Sequence, residues 1–333
     1  MIITQTPFRM SFFGGGTDFP PFFNEYGGSV ISTTFDKYCY VNVRHLPPFF
    51  EYSSEIVYSR MERVKEVKEI EHPAVREAMK YLDMQELRIT YEADLPARSG
   101  LGTSSSFAVG MLNAFYALKG IYADKRKLAR DAIHLERTLC AESGGIQDQI
   151  AASYGGLNRI YFAEDDFEVV PVIIAPERKK RLNDNLMLFF TGFSRFSSDI
   201  AQTQEKAIKE KKNEQLLEML KLVDDAQDVL TSKGDLNEFG RLLDYTWKLK
   251  RGITSTISNN SIDALYQKAI GAGALGGKLL GAGGGGFLLF YVEEDRQKAV
   301  REALDGLLYV PFTFENSGTK VLHYTPETYE PER

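Results

Sequence analysis

The sequence predicts a two-domain α+β protein. The chain has 333 residues, about two domains by length. Strand-like and helix-like segments follow in runs, without the regular alternation of a doubly wound sheet. Residues 171–185, PVIIAPERKKRLNDN, mix proline and charge between apolar segments, which places the division at 183/184. The expected domains are therefore 1–183 and 184–333.

Composition narrows the partners. Hydrophobic residues at 43% and charged residues at 26% are ordinary for a globular chain with a sizeable core. A net charge of -6 argues against nucleic acid or an anionic membrane as partner, so an anionic ligand must be met by local groups. Cys39 and Cys140 are too few for a disulfide framework and have no metal-ligand spacing. No charged segment followed by an apolar run opens the chain. The apolar run 279–292, 14 residues interrupted by glycine, is too short for a membrane span. A cytoplasmic location is the resulting expectation.

Taken in order, residues 28–44 are rich in Val, Ile, Thr and Tyr and read as strands. Leu87, Ile89 and Tyr91 alternate with polar neighbours, a half-buried strand over 87–93. From Phe107, the positions Ala108, Met111, Leu112, Phe115 and Leu118 recur at helical spacing up to Gly120. A second helix covers 125–142 and a short one 146–153, each closed by a glycine pair. LNRIYF and LMLFFTG read as strands on either side of the division. Helices follow over 199–231, 235–250 and 262–270, and a strand over 286–294. The charged run EKAIKEKKNEQ reads as a solvated helix face.

Three glycine-rich loops stand out. In DLPARSGLGTSSSFAVG, residues 94–110, Pro96, Gly100 and Gly102 precede four hydroxyls, Thr103 to Ser106, at the mouth of a helix. Helix N-termini expose unpaired N–H groups with partial positive charge, and glycine lets a ligand approach the backbone. Phosphate is the usual occupant of such a site. A plain helix cap would need only one hydroxyl. The loop is not a Walker A motif, because no lysine follows Gly102; Gly277-Lys278 lacks that motif's first glycine and its Ser or Thr. GxGxxG at 271–276 and 281–286 lies between a helix and a following strand, the reverse of a dinucleotide fingerprint. The other two loops are PFRMSFFGGGTDFP near the start and LLGAGGGGFLLF at 279–290.

These motifs resemble the GHMP kinases. Pro96 with Gly100, Leu101, Gly102, Thr103, Ser104 and Ser105 resembles their central phosphate loop. Pro7 and Arg9 with Gly16, Thr17 and Asp18 resemble the first motif. Gly281, Gly283, Gly284 and Gly285 resemble the third. The motifs span residues 7 to 290 in the family's order, nearly the whole chain. The resemblance implies the two-domain GHMP fold, with a ribosomal protein S5 domain 2-like N-terminal domain, a ferredoxin-like C-terminal domain and the active site between them.

Two carboxylates carry the chemistry. Glu136 sits among Ala129, Ala132, Ile133 and Cys140 on an apolar helix stripe and needs a partner there. A neighbouring Lys or Arg would serve. Asp148, in GGIQDQIAASYGG, opens a short helix, where pairing with the helix dipole would account for it. The resemblance implies more specific roles. Glu136 and Ser104 would hold Mg²⁺ on the phosphates of ATP. Asp148 would orient or deprotonate the acceptor hydroxyl, and Arg9 would stabilise the developing charge. Phosphoryl transfer needs this set, because it is mostly positioning and charge neutralisation.

Gly16, Thr17 and Asp18 resemble the acceptor-binding end of the first motif in sugar kinases, where Asp can accept from paired sugar hydroxyls. The SFFGGGTDFP loop, GGIQDQIAASYGG and TGFSRFSSDI look closest to the heptose-kinase branch. That implies transfer to the anomeric oxygen of D-glycero-D-manno-heptose 7-phosphate. Such an acceptor would need a second cation: Arg195 is the candidate, with Lys37 and Lys278 weaker ones. Rivals are a kinase for free fucose or galactose, a non-catalytic sugar sensor and a GHMP decarboxylase. The expected partners are ATP and a small sugar or sugar phosphate, with assembly into a homo-oligomer left open.

Overall fold

The computed structural model describes residues 1–97, 99–164, 166–192, 197–209, 213–254 and 256–326. Its frame is one long antiparallel pair, β1 (Ile2–Phe13) and β2 (Gly28–His45), joined by α1 (Pro20–Tyr26). The hairpin β3 (Ser54–Val57) and β4 (Met61–Val64) follows, then α2 (Pro73–Tyr81). In β5 (Leu87–Ala93), Leu87 and Ile89 turn into the core and the strand pairs with β2. Next come α3 (Thr103–Leu118), α4 (Lys125–Ile133) and α5 (Gln147–Tyr154). β6 (Asn158–Ala163), β7 (Asp166–Pro171) and α6 (Pro176–Asp184) complete the first half.

The second half runs β8 (Leu186–Phe190), α7 (Ser197–Lys209), α8 (Glu214–Thr231), α9 (Asn237–Ile253) and α10 (Asn260–Gly271). It continues with β9 (Gly276–Leu279), β10 (Phe287–Tyr291), α11 (Gln297–Ala303) and β11 (Leu308–Val310). The helix expected over 199–231 is two helices. The second starts after Asn213, whose carbonyl takes the Leu217 N–H at 2.8 Å. Asparagine favours such a boundary because its side chain competes with the helical backbone.

Among the described residues, the second sheet is antiparallel in the order β11-β8-β10-β9. The path of the first is β13-β1-β2-β5-β3-β4, with β6 and β12 also pairing to β2. Here β12 (Phe314–Glu315) and β13 (Lys320–Tyr324) bring the chain back from the second half. The division at 183/184 falls in the last turn of α6 and separates the strands of the two sheets up to Val310. Beyond it, β13 covers the outer edge of β1, which would otherwise expose unpaired backbone groups.

The two halves share a core. Phe8, Met10 and Phe12 of β1 pack in one cluster with Val223, Phe239, Leu188 and Leu289. A β-bulge between Ser11 and Phe13 buries both Phe12 and Phe13 and takes Phe12 out of register with β2. No helix among the described residues is long and apolar enough to cross a membrane.

The C-terminal return leaves no room for a side chain at Gly155, the residue after α5. A Cβ there would lie 2.0 Å from the Ser317 carbonyl carbon, at a φ of +67°. Gly120 has nearly the same φ, +68°, with nothing within 4 Å. Gly155→Ala should therefore lose about 2–4 kcal/mol in urea unfolding and Gly120→Ala only about 1 kcal/mol. Equal losses would show that the C-terminal return does not press on this turn.

Candidate active site

The first motif lies on β1 and the turn after it. Arg9 is 5% exposed and makes a two-pronged ion pair with Asp148. Its Nε donates to Oδ1 and its Nη2 to Oδ2, both at 2.7 Å. The third arm, Nη1, donates to the Gly100 carbonyl at 2.8 Å. One guanidinium thus ties β1, the central loop and the start of α5 together. A fork of this kind fixes direction as well as distance.

The central motif forms the N-terminus of α3. Gly102 takes the left-handed conformation, φ +71°, just before Thr103. A Cβ there would stand 3.3 Å from both Arg9 Cγ and Asp148 Oδ2, so glycine serves both the turn and the ion pair. No acidic residue lies in the first turn of α3, and no side chain caps it. Thr103, Ser104 and Ser105 open onto the cleft that also holds Arg9 and Asp148. This is the arrangement that receives phosphate. Leu101 is buried below the loop, where its carbonyl accepts the Arg9 N–H at 3.2 Å.

Glu136 is 2% exposed and lies in a π-helical turn, 134–139, that continues α4. The helix expected over 125–142 ends there, because Ala141 adopts a positive φ of 53°. Among the described residues the Glu136 carboxylate has no cationic partner; it accepts from Ser104 Oγ, from Ser105 Oγ at 2.7 Å and from Gln149 Nε2. Among the described residues no three His, Cys, Asp or Glu side chains cluster as metal ligands. One carboxylate beside a hydroxyl at a phosphate-binding helix end suits Mg²⁺, which takes few protein ligands and fills its shell with phosphate oxygens and water.

Asp18 and Gly16 reach the cleft. Asp18 accepts from Gly16 N–H at 2.9 Å and from Gln147 N–H at 3.4 Å. Burial, reinforced by the Asp148 charge, pushes its carboxyl above the ordinary range. A Cβ on Gly145 would sit 1.8 Å from Asp18 Oδ2, so the glycine pair before α5 is the seat of this carboxylate. Thr17 does not reach the cleft. It is fully buried, and its hydroxyl holds the turn by donating to the Gly14 carbonyl at 2.8 Å and accepting from Ser29 N–H at 3.1 Å.

The third motif is a backing for the second. A Cβ on Gly281 would lie 2.3 Å from Gly100 Cα, and one on Gly283 would lie 2.7 Å from Ile257 Cα. Gly281 borders the cleft, but Gly283, Gly284 and Gly285 do not. Lys37 is also away from the cleft, paired with Asp36 at 3.1 Å. Arg195 lies outside the described residues.

The structure adds groups that the motifs do not contain. Lys250 on α9 and Lys278 on β9 line the cleft at 5% and 2% exposure. Lys250 Nζ donates to the Gly281 carbonyl, and Lys278 Nζ to the Phe12 carbonyl at 2.8 Å. Among the described residues neither has a carboxylate as hydrogen-bond partner. The signal for Lys250 was available: Leu243, Trp247 and Ile253 place it on an apolar stripe, as for Glu136. Ser11, two residues after Arg9, also lines the cleft.

Comparison with known proteins places the chain in a family. The model of the GHMP kinases N terminal domain matches residues 64–156, and that of the GHMP kinases C terminal matches residues 223–309. The chain belongs to the GHMP kinase family. It is a phosphotransferase with that family's two-domain fold. It is 29% identical to the D-glycero-alpha-D-manno-heptose 7-phosphate kinase of Campylobacter jejuni, over 96% of this chain and 98% of that one. The L-fucokinase/L-fucose-1-P guanylyltransferase of Bacteroides fragilis is 27% identical over 89% of this chain but only 35% of its own length. A D-glycero-D-manno-heptose 1-phosphate kinase from Bacteroides thetaiotaomicron superposes with a TM-score of 0.77 at 26% identity, covering 97% of this chain and 99% of that one.

Lys250 gives the site a pH signature. Burial, with Arg9 adding repulsion, pushes its ammonium down to about 8 from 10.5. Between those values the unfolded chain holds one more proton than the folded chain, so this group makes stability rise with pH. Below pH 8 both states are protonated and the cost of the buried charge is fully present. Lys250→Met should therefore be more stable than wild type at pH 7, by roughly 3 kcal/mol at most. Urea unfolding should show that gap shrinking towards pH 10.5. A gap independent of pH would mean that the lysine is not held as a buried cation.

Proposed function

We propose that the protein transfers the γ-phosphoryl group of ATP to the anomeric hydroxyl of a sugar. The acceptor we favour is D-glycero-D-manno-heptose 7-phosphate, giving the 1,7-bisphosphate on the way to a nucleotide-activated heptose. The observation that carries the reaction type is the Arg9–Asp148 pair at the mouth of α3, with Asp18 beside it. The preference for a heptose rests on the Campylobacter jejuni relative, matched end to end. The Bacteroides fragilis relative keeps a free-sugar kinase such as a fucokinase as the second reading. A non-catalytic sensor would have no use for Arg9, Glu136 and Asp148 assembled at one cleft.

In this reading the α3 N-terminus, with Ser104 and Ser105, binds the donor phosphates. Glu136 and Ser104 would hold Mg²⁺, whose contribution is to neutralise charge on the phosphates. Asp148 accepts the proton of the acceptor hydroxyl as that oxygen attacks. Arg9 holds the carboxylate in direction and lends positive charge to the same region. Asp18 accepts from sugar hydroxyls, steadied by two backbone N–H groups.

ADP release from Mg-ATP, measured with heptose 7-phosphate, mannose 6-phosphate, free mannose, fucose and galactose, tests the proposal. Turnover should be fastest with heptose 7-phosphate, and Asp148→Asn should lower kcat by about 10²- to 10⁴-fold. Preference for a free sugar would replace the heptose phosphate reading by the fucokinase-like one. Turnover with none of them would refute the sugar-kinase assignment.

A further inference from the structure

The cleft contains more cation than the transfer chemistry uses. Lys250 and Lys278 are buried side by side with Arg9, and among the described residues each ammonium has one backbone carbonyl as its only acceptor. An ammonium has three protons to donate, so each retains unused donors. The nearby carboxylates are committed elsewhere: Asp148 to Arg9, and Asp18 to the N–H groups of Gly16 and Gln147. Asp18 and Asp148 offset part of the lysine charge from across the cleft, but neither bonds to a lysine among the described residues, so burying both lysines this close to Arg9 remains expensive.

A second observation marks the same place. Ser11 is 7% exposed and lines the cleft, and its Oγ is buried without any hydrogen-bond partner. It follows Arg9 by two residues on β1, so the two side chains leave the strand on one face, roughly 6.8 Å apart. Lys278 reaches the carbonyl of the next residue, Phe12, at the bulge. Gly15 also lines the cleft, next to Ser11. Burial, with Lys250 and Arg9 adding repulsion, pulls the Lys278 ammonium well below its ordinary range, as in a cation short of an anion. The result is a pocket wall of two lysine amines and a hydroxyl with no partner among the described residues, two residues along β1 from Arg9.

We propose that Lys250, Lys278 and Ser11 form a subsite for a phosphate monoester carried by the acceptor, at the end of the sugar remote from the hydroxyl that is phosphorylated. This rests on the sugar-kinase reading above and assigns its substrate class: a sugar phosphate and not a free sugar. The subsite is built from both halves of the molecule, β1 from one and α9 and β9 from the other. The same chemistry would also suit a phosphate of the donor nucleotide, and the experiment separates the two.

The test is equilibrium binding by calorimetry, with heptose 7-phosphate, the corresponding free heptose and a non-hydrolysable ATP analogue as separate ligands. Lys278→Met should weaken heptose 7-phosphate about 10- to 100-fold, as expected for loss of a charge-assisted hydrogen bond. Ser11→Ala, a smaller change that checks against misfolding, should weaken it about 3- to 10-fold. Free heptose and the ATP analogue should each change less than threefold in both variants. Unchanged heptose 7-phosphate affinity in both folded variants would overturn the subsite while leaving the sugar-kinase reading standing. A loss confined to the ATP analogue would overturn it in favour of the donor phosphates. Wild type that binds the free sugar as tightly as its phosphate would overturn both the subsite and the heptose phosphate reading.

Discussion

The site depends on the ion pair between Arg9 and Asp148. It joins the first strand of the chain to the start of α5 and, through Gly100, to the phosphate loop. Its geometry explains several residue choices that otherwise look unrelated. Gly102 suits its left-handed φ and the pair lying close against it, and Gly100 must be bare because the Leu280 carbonyl oxygen backs it, 2.3 Å from where a Cβ would stand. In the proposed reaction Asp148 is thereby fixed before any ligand arrives, and positioning of this kind is much of what catalysis of phosphoryl transfer requires.

Charge in the cleft is divided between the two halves. The first half lines it with Arg9, Arg137, Asp18, Glu142, Asp148 and the α3 N-terminus; the second lines it with Lys250 and Lys278. Their shared apolar core, with Phe8, Met10 and Phe12 against α8, α9 and the second sheet, holds these sets in register. A backbone carbonyl takes part of each lysine charge, and Asp18 and Asp148 offset more of it from across the cleft. Such an arrangement sacrifices some stability of the free protein for affinity toward an anion.

Much of this was legible in the sequence, for physical reasons that differ by element. Strands β2 and β5 showed as β-branched and alternating runs, and α3 as an apolar helix behind a glycine and hydroxyl mouth. Glu136 was visible as a charge on an apolar stripe, and Asp148 through its place after a glycine pair. Other features depend on contacts distant in sequence. Thr17 is adjacent to Asp18, yet its hydroxyl is consumed by Gly14 and Ser29, and only the folded turn reveals this. Gly283 serves packing against Ile257, a partner that no local pattern announces. The return of β12 and β13 to the first sheet follows from the open edge of β1, a property of the sheet and not of residues 314–324.

A double-mutant cycle on kcat with Arg9→Met and Asp148→Asn tests the central claim most directly. If the two side chains act as one unit, the double variant should be within about tenfold of the slower single variant, because the second change removes a partner already lost. If the two losses multiply, Arg9 and Asp148 act independently, and the ion pair is not the constraint on which the site is built.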